Sequence, residues 1–144
     1  MHLETTIQTD FSPLASLENL TTLVIGTDGD RIIRTDITPL GYLTNLTYLG
    51  LYNRIIHDVT PLANLVNLTH LNLHRASYWE LGWFDITPLS YLANLTHLGL
   101  RRTLVRDVTP LANLEHLHTV DVRNTIITIH ELAPIAHVPN VIRY

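Results

Sequence analysis

The chain has no cysteine, so neither a disulfide framework nor thiolate chemistry is open to it. Lysine is absent as well, and all nine basic residues are arginine. The fixed cations are therefore planar, forked guanidinium groups. No stretch approaches the ~18 apolar residues of a membrane span, so no membrane partner is expected. Residues 1–20 carry Glu4, Asp10 and Glu18 and no long apolar run, so no leader is expected on the chain as given. The expected compartment is cytoplasmic, or secreted or surface-exposed if the chain is an excised domain. No Gly-rich phosphate loop, His-Glu-x-x-His, nucleophile elbow or paired Cys ligands are present, so neither an enzyme nor a cofactor is expected. A net charge of -4 argues against a general nucleic-acid binder.

What the chain does have is self-similarity. Asp58 to Leu73 reads DVTPLANLVNLTHLNL. The phrase recurs as DITPLGYLTNLTYLGL from Asp36, as DITPLSYLANLTHLGL from Asp85, and more weakly as DVTPLANLEHLHTVDV from Asp107. A fixed repeat of this length is the signature of a solenoid. The Leu-x-x-Leu-x-Leu motifs predict strands at Leu20–Ile25, Leu46–Leu51, Leu68–Leu73, Leu95–Leu100 and Leu117–Val122. Their middle positions are 26, 22, 27 and 22 residues apart, and a sixth falls on Tyr144 after 24 more. One coil cannot bury its apolar face alone, so neighbours must stack, with 46% hydrophobic residues supplying the core. Thr-Pro at 38–39, 60–61, 87–88 and 109–110, and Ser12-Pro13, predict short helical or 3-10 turns. Thr is the expected N-cap and Pro the first helical residue. Asp36, Asp58, Asp85 and Asp107 precede these turns and are expected to serve them.

These phrases resemble the leucine-rich repeat family in its roughly 22-residue form, above all the repeats of bacterial internalins and related phosphatase regulators. The resemblance runs from Phe11 to Tyr144. It implies an α/β repeat solenoid, a right-handed superhelix with a concave parallel sheet and short helical or 3-10 turns on the convex side. The whole chain, 1–144, is then one domain of about five full repeats and a partial C-terminal one, with residues 1–10 as an N-terminal cap or frayed arm. Two departures stand out. The Asn usual after each strand is replaced by Asp28, Arg54, Ala76, Thr103 and Thr125, whereas a second Asn column survives at Asn19, Asn45, Asn67 and Asn94. The latter lie in Asn-Leu-Thr triplets, whose recurrence at one repeat position reads as structural rather than as a glycan acceptor.

In this family the concave sheet is the usual binding surface. Alternate strand residues form columns across it. One column is Thr22, Tyr48, His70, His97 and Thr119. The next is Val24, Gly50, Asn72, Gly99 and Asp121. The third is Gly26, Tyr52, His74, Arg101 and Arg123. The insertion between His74 and Asp85 adds Tyr78, Trp79, Glu80, Trp83 and Phe84, whose aromatics either anchor a partner or fold back over the core. The acidic run Thr27-Asp28-Gly29-Asp30 reads as a turn, since it lacks the closing Glu of a calcium loop. His70 and His97 are neighbours without a third convergent ligand, so no metal site is expected.

The resulting expectation is a non-enzymatic module that recognises a protein through the concave face and the aromatic loop. Its rivals are an anionic ligand, glycan or nucleic acid at Arg75, Arg101, Arg102 and Arg123, and a structural self-assembling unit. At the C-terminal end Val138, Val141 and Tyr144 are placed inward. Residues 126–135 then fold over as a cap, and the chain is a monomer, the alternative being a homodimer paired through that edge.

Overall fold

The computed structural model describes residues 2–5, 10–26, 33–76 and 82–144. Nine strands are described: β1 (His2–Thr5), β2 (Thr22–Ile25), β3 (Ile33–Arg34), β4 (Tyr48–Leu51), β5 (Arg54–Ile55), β6 (His70–Asn72), β7 (His97–Gly99), β8 (Thr119–Asp121) and β9 (Asn140–Ile142). Seven of them make one parallel sheet in the order β1-β2-β4-β6-β7-β8-β9. The expected register holds: Leu23 pairs with Leu49, Leu49 with Leu71, Leu71 with Leu98 and Leu98 with Val120. These five side chains are at most 2% exposed. The leucines that open each motif (Leu46, Leu68, Leu95) lie before the strands proper, yet are fully buried.

Between successive strands of this sheet the chain returns through a 3-10 turn, at Ser12–Ser16, Thr38–Tyr42, Thr60–Asn64, Thr87–Tyr91, Thr109–Leu111 and His130–Ile135. Their capping differs from expectation. Thr is already inside the turn, and the N-cap residues of the first five are Phe11, Ile37, Val59, Ile86 and Val108, with no side-chain cap. The acceptor is the Asp one residue earlier. Asp36, Asp58, Asp85 and Asp107 Oδ1 accept the N–H of Thr38, Thr60, Thr87 and Thr109 at 2.7–2.9 Å. Asp10 does the same for Ser12. Moving the polar acceptor back by one residue leaves the N-cap position free to be apolar, and all five cap residues are at most 2% exposed.

The missing Asn ladder has three substitutes. Thr103 and Thr125 turn their hydroxyls back to donate to Leu100 O and Val122 O at 2.6 and 2.7 Å. Ala76 is buried. Arg54 enters β5, which pairs with β3 in a small second sheet that the repeat pattern did not disclose. Its guanidinium is fully buried, donates to Thr35 Oγ1 at 3.4 Å and lies 5.8 Å from the Phe11 ring. The surviving Asn column is structural: Asn45, Asn67 and Asn94 Nδ2 donate to the carbonyls of Glu18, Thr44 and Val66 in the preceding coil.

Both ends of the described chain extend the sheet. His2–Thr5 pairs with β2, His2 opposite Thr22. At the other end residues 130–135 form a further return turn, and Asn140–Ile142 pairs with β8 instead of lying under a cap. Val141 stands opposite Val120, so it takes the middle inward position, and Tyr144 is 98% exposed. Pro139 sits just before β9, where its missing N–H costs no ladder bond. The run Thr27–Asp30 and the loop residues Tyr78, Trp79 and Glu80 lie outside the described residues. Among the described residues no helix is long and apolar enough to cross a membrane.

Candidate functional site

The first column of the concave face is a stack of rings. Tyr48 and His70 have ring centroids 5.8 Å apart and planes 23° from parallel. His70 and His97 are closer, 4.4 Å and 5°. His118 extends the row at 6.1 Å from His97, tilted by 36°. Parallel strands roughly 4.8 Å apart set this spacing, and threonines set the ring orientation. Thr69 and Thr96 hydroxyls donate to Thr47 O and Thr69 O at 3.0 and 2.8 Å. With their protons so used, their oxygens accept from Nδ1–H of His70 and His97, both at 2.9 Å. Hydrogen-bond logic therefore assigns the neutral rings the Nδ1–H tautomer, with Nε2 left as an acceptor. In His118 the Asn140 amide donates to Nδ1 at 3.1 Å, which assigns the opposite tautomer.

The second column forms the floor. A β-carbon at Gly50 would stand 2.8 Å from the Tyr52 hydroxyl, and one at Gly99 2.8 Å from Asn72 Oδ1. The two glycines let Tyr52 and Asn72 lie flat on the sheet. Tyr52 and Tyr48 hydroxyls are 3.3 Å apart. Tyr48, His70, Asn72, His97, Gly99, Thr119 and Asp121 border a depression of about 180 Å³, enough for one side chain.

Asn72 and Asp121 also hold the third column. Asn72 Oδ1 accepts the His74 N–H at 3.0 Å. Asp121 accepts the Arg123 backbone N–H at 3.0 Å and its side chain in a fork, Nε–Oδ1 2.9 Å and Nη2–Oδ2 2.6 Å. Burial alone would raise the Asp121 pKa. The Arg123 hydrogen bonds and charge, with Arg101, outweigh it and hold the carboxyl below the ordinary value. His74 is pushed below the usual histidine value by burial first, then by Arg101, Arg102 and Arg75, with Asp121 opposing.

The structure thus brings Tyr48, Tyr52, His70, Asn72, His74, His97, Arg101, Asp121 and Arg123 onto one face. Trp83 lies elsewhere. It is 58% exposed, with the Arg106 guanidinium 3.2 Å from its ring centre. It lines a separate groove of about 590 Å³ with Leu104, Ile126, Thr128 and Glu131. Phe84, by contrast, folds into the core at 6% exposure, as the fold-back alternative expected. Two signals were missed in the sequence. Arg106 carries no motif, and His118 stands at the repeat position of Thr69 and Thr96, one residue before the column. Among the described residues no three His, Cys, Asp or Glu side chains are grouped to hold a metal ion.

No family model and no curated protein matches the sequence. Solved structures do. Internalin C2 of Listeria monocytogenes superposes with a TM-score of 0.71 at 29% identity, over 94% of this chain and 66% of its own. Internalin F of the same organism gives 0.65 at 28% identity, over 98% of this chain and 46% of its own. A plant peptide hormone receptor in complex with RGF2 gives 0.69 at 17% identity, over 100% of this chain and 24% of its own, a likeness of fold alone. The chain therefore spans less than two thirds of the length of these neighbours, none of which is named for a catalytic activity. Repeat phrase, register and structural neighbours agree on a leucine-rich repeat solenoid, similar to the repeats of the internalins.

Proposed function

We propose that this chain is a non-enzymatic recognition module that binds a protein through its concave face. The observation that carries the reading is the Tyr48–His70–His97 stack beside the depression at Gly99. Rings held by neighbouring strands and by threonine hydroxyls lose little conformational freedom on binding, which lowers the cost of association. Their outward Nε2 acceptors and the Tyr48 edge supply polar contacts around an apolar centre, the composition of an interface anchor. Trp83, with Tyr78 and Trp79 of the same loop, is proposed as a second contact region. No membrane partner or cofactor enters the reading.

Affinity capture with wild type, Tyr48→Ala and His97→Ala tests it. Neither side chain lies in the buried core, so the circular dichroism spectrum should be unchanged. A protein retained by wild type and lost with both variants is the expected result. Retention indifferent to both overturns the reading.

A further inference from the structure

The turns after β6, β7 and β8 bring Arg75, Arg101, Arg102 and Arg123 to one end of the concave face. Backbone bonds hold those turns in line: Arg75 N–H donates to Arg101 O and Arg102 N–H to Arg123 O, both at 3.0 Å. Arg75 and Arg102 occupy the same left-handed turn position, φ 56° in each. The arginines are not equally committed. Arg123 is forked onto Asp121. Arg101 Nε is buried with no hydrogen-bond partner, and among the described residues the Arg101 and Arg102 side chains make no hydrogen bond or ion pair. The Arg101 side chain is half-buried. In a chain of net charge -4, this corner concentrates four guanidinium groups around the single Asp121 carboxylate, beside the proposed recognition face.

We propose that this corner receives an acidic side chain of the protein partner, a Glu or Asp carboxylate held by the Arg101 guanidinium, with Arg102 adding charge and His74 alongside. The inference rests on the reading of the concave face as a protein-recognition surface. A carboxylate matches the forked donors of one arginine. A nucleic-acid backbone asks for a run of cations along successive phosphates, and here Asp121 interrupts the patch and occupies Arg123. A single acidic residue in a peptide segment fits better.

A pH dependence follows from His74. The groups facing it are Tyr52 on the β4 side, Arg75 on its own turn, Arg101 and Arg102 from the next turn, and Asp121 with Arg123 beyond. Without a ligand His74 is neutral near pH 7, because burial and the arginines oppose its protonation. A carboxylate arriving at Arg101 offsets that field, so binding takes up a proton at His74. Affinity then rises as pH falls towards and below the ordinary histidine value of 6.5.

The test uses fluorescent oligo-glutamate, oligo-glutamine and oligothymidylate, each titrated into the full chain by anisotropy. Oligo-glutamate should bind and oligo-glutamine should not. Arg101→Gln should weaken oligo-glutamate about tenfold, and Arg102→Gln, on an exposed side chain that cannot perturb the core, by a smaller factor. His74→Gln should keep the binding and flatten its pH trend. Equal binding of the two peptides, no binding of either, or indifference to both arginine variants overturns the inference. So does tighter, steeply salt-dependent binding of oligothymidylate, which assigns the corner to nucleic acid. Failure here, with the captured partner still lost on Tyr48→Ala, removes the acidic segment alone and leaves the protein-recognition reading standing.

Discussion

His70 and His97 stand face to face on adjacent strands, 4.4 Å between ring centres and 5° from parallel. Two imidazolium charges at that separation repel. Burial, and next the His97 ring, push the His70 pKa below the ordinary 6.5. The folded chain then binds this proton more weakly than the unfolded chain does. Stability is fully present above the ordinary value and is lost as pH falls from there through the lower folded value. Urea unfolding between about pH 7.5 and 5 reads this slope directly. His70→Gln should remove this component and His97→Gln should reduce it. A slope unchanged in His70→Gln would show that the stack does not control the titration.

The aspartates that cap the turns give a second, separate window. Side-chain and then backbone hydrogen bonds from Thr87 and Thr109 hold the Asp85 and Asp107 carboxyls below 3.8. Their contribution is complete above the ordinary carboxylate range and is lost as pH drops through the folded values. Pro88 has no N–H, so the Thr87 N–H, at 2.8 Å from Asp85, is the donor that the cap must satisfy. Asp85→Ala should cost about 1 kcal/mol. Asp85→Asn keeps the acceptor and should cost less. Equal losses in thermal unfolding would place the effect in the charge instead of the hydrogen bond.

Leu71 tests the core register. It is 2% exposed and lies between Leu49 and Leu98 in the sheet. Leu71→Ala should destabilise by about 2–5 kcal/mol, as large-to-small changes in packed cores do. Leu71→Asp adds an unpaired buried charge and should leave no cooperative unfolding transition. A melting temperature equal to wild type in either variant contradicts the inward assignment.

The parts of the molecule that repeat were readable in the sequence, because a solenoid converts a residue's repeat position directly into its depth and direction. That is why Tyr48, His70 and His97 could be aligned before any coordinates, and why the Asp residues before Thr-Pro could be assigned to turns. What escaped notice does not repeat. Arg54 takes a place where the resembled family usually has Asn, and the chemistry that lets it lie buried comes from Thr35 and Phe11 in two other coils. His2–Thr5 carries a single leucine and no motif, yet the unpaired edge of β2 accepts it as a strand. Tyr144 was given an inward place by extrapolating the repeat length, whereas the shorter final coil assigns that place to Val141. The tautomers of His70 and His97 depend on which carbonyl each threonine hydroxyl reaches, a fact of stacking that no single repeat encodes.

Gly99 separates the shape of the candidate site from the stability of the fold. An added β-carbon would lie 2.8 Å from Asn72 Oδ1 and 3.0 Å from Asn72 Cγ, so the amide must swing away. The neighbour is a side chain on an open face, and no backbone needs to move. Gly99→Ala should therefore cost little beyond the lost bond from His74 N–H to Asn72 Oδ1, about 0.5–1.5 kcal/mol, against which the gain in strand propensity is small. The displaced amide enters the depression that Gly99 and Asn72 border. Partner capture should then fall sharply while the unfolding midpoint moves only slightly. Gly50→Ala is the control on the same column. There the obstacle is the Tyr52 ring, with its hydroxyl at 2.8 Å and Cζ at 2.9 Å, and its displacement also breaks the contact with the Tyr48 hydroxyl. Both variants binding like wild type would move the recognition surface off the concave floor, towards the groove at Trp83.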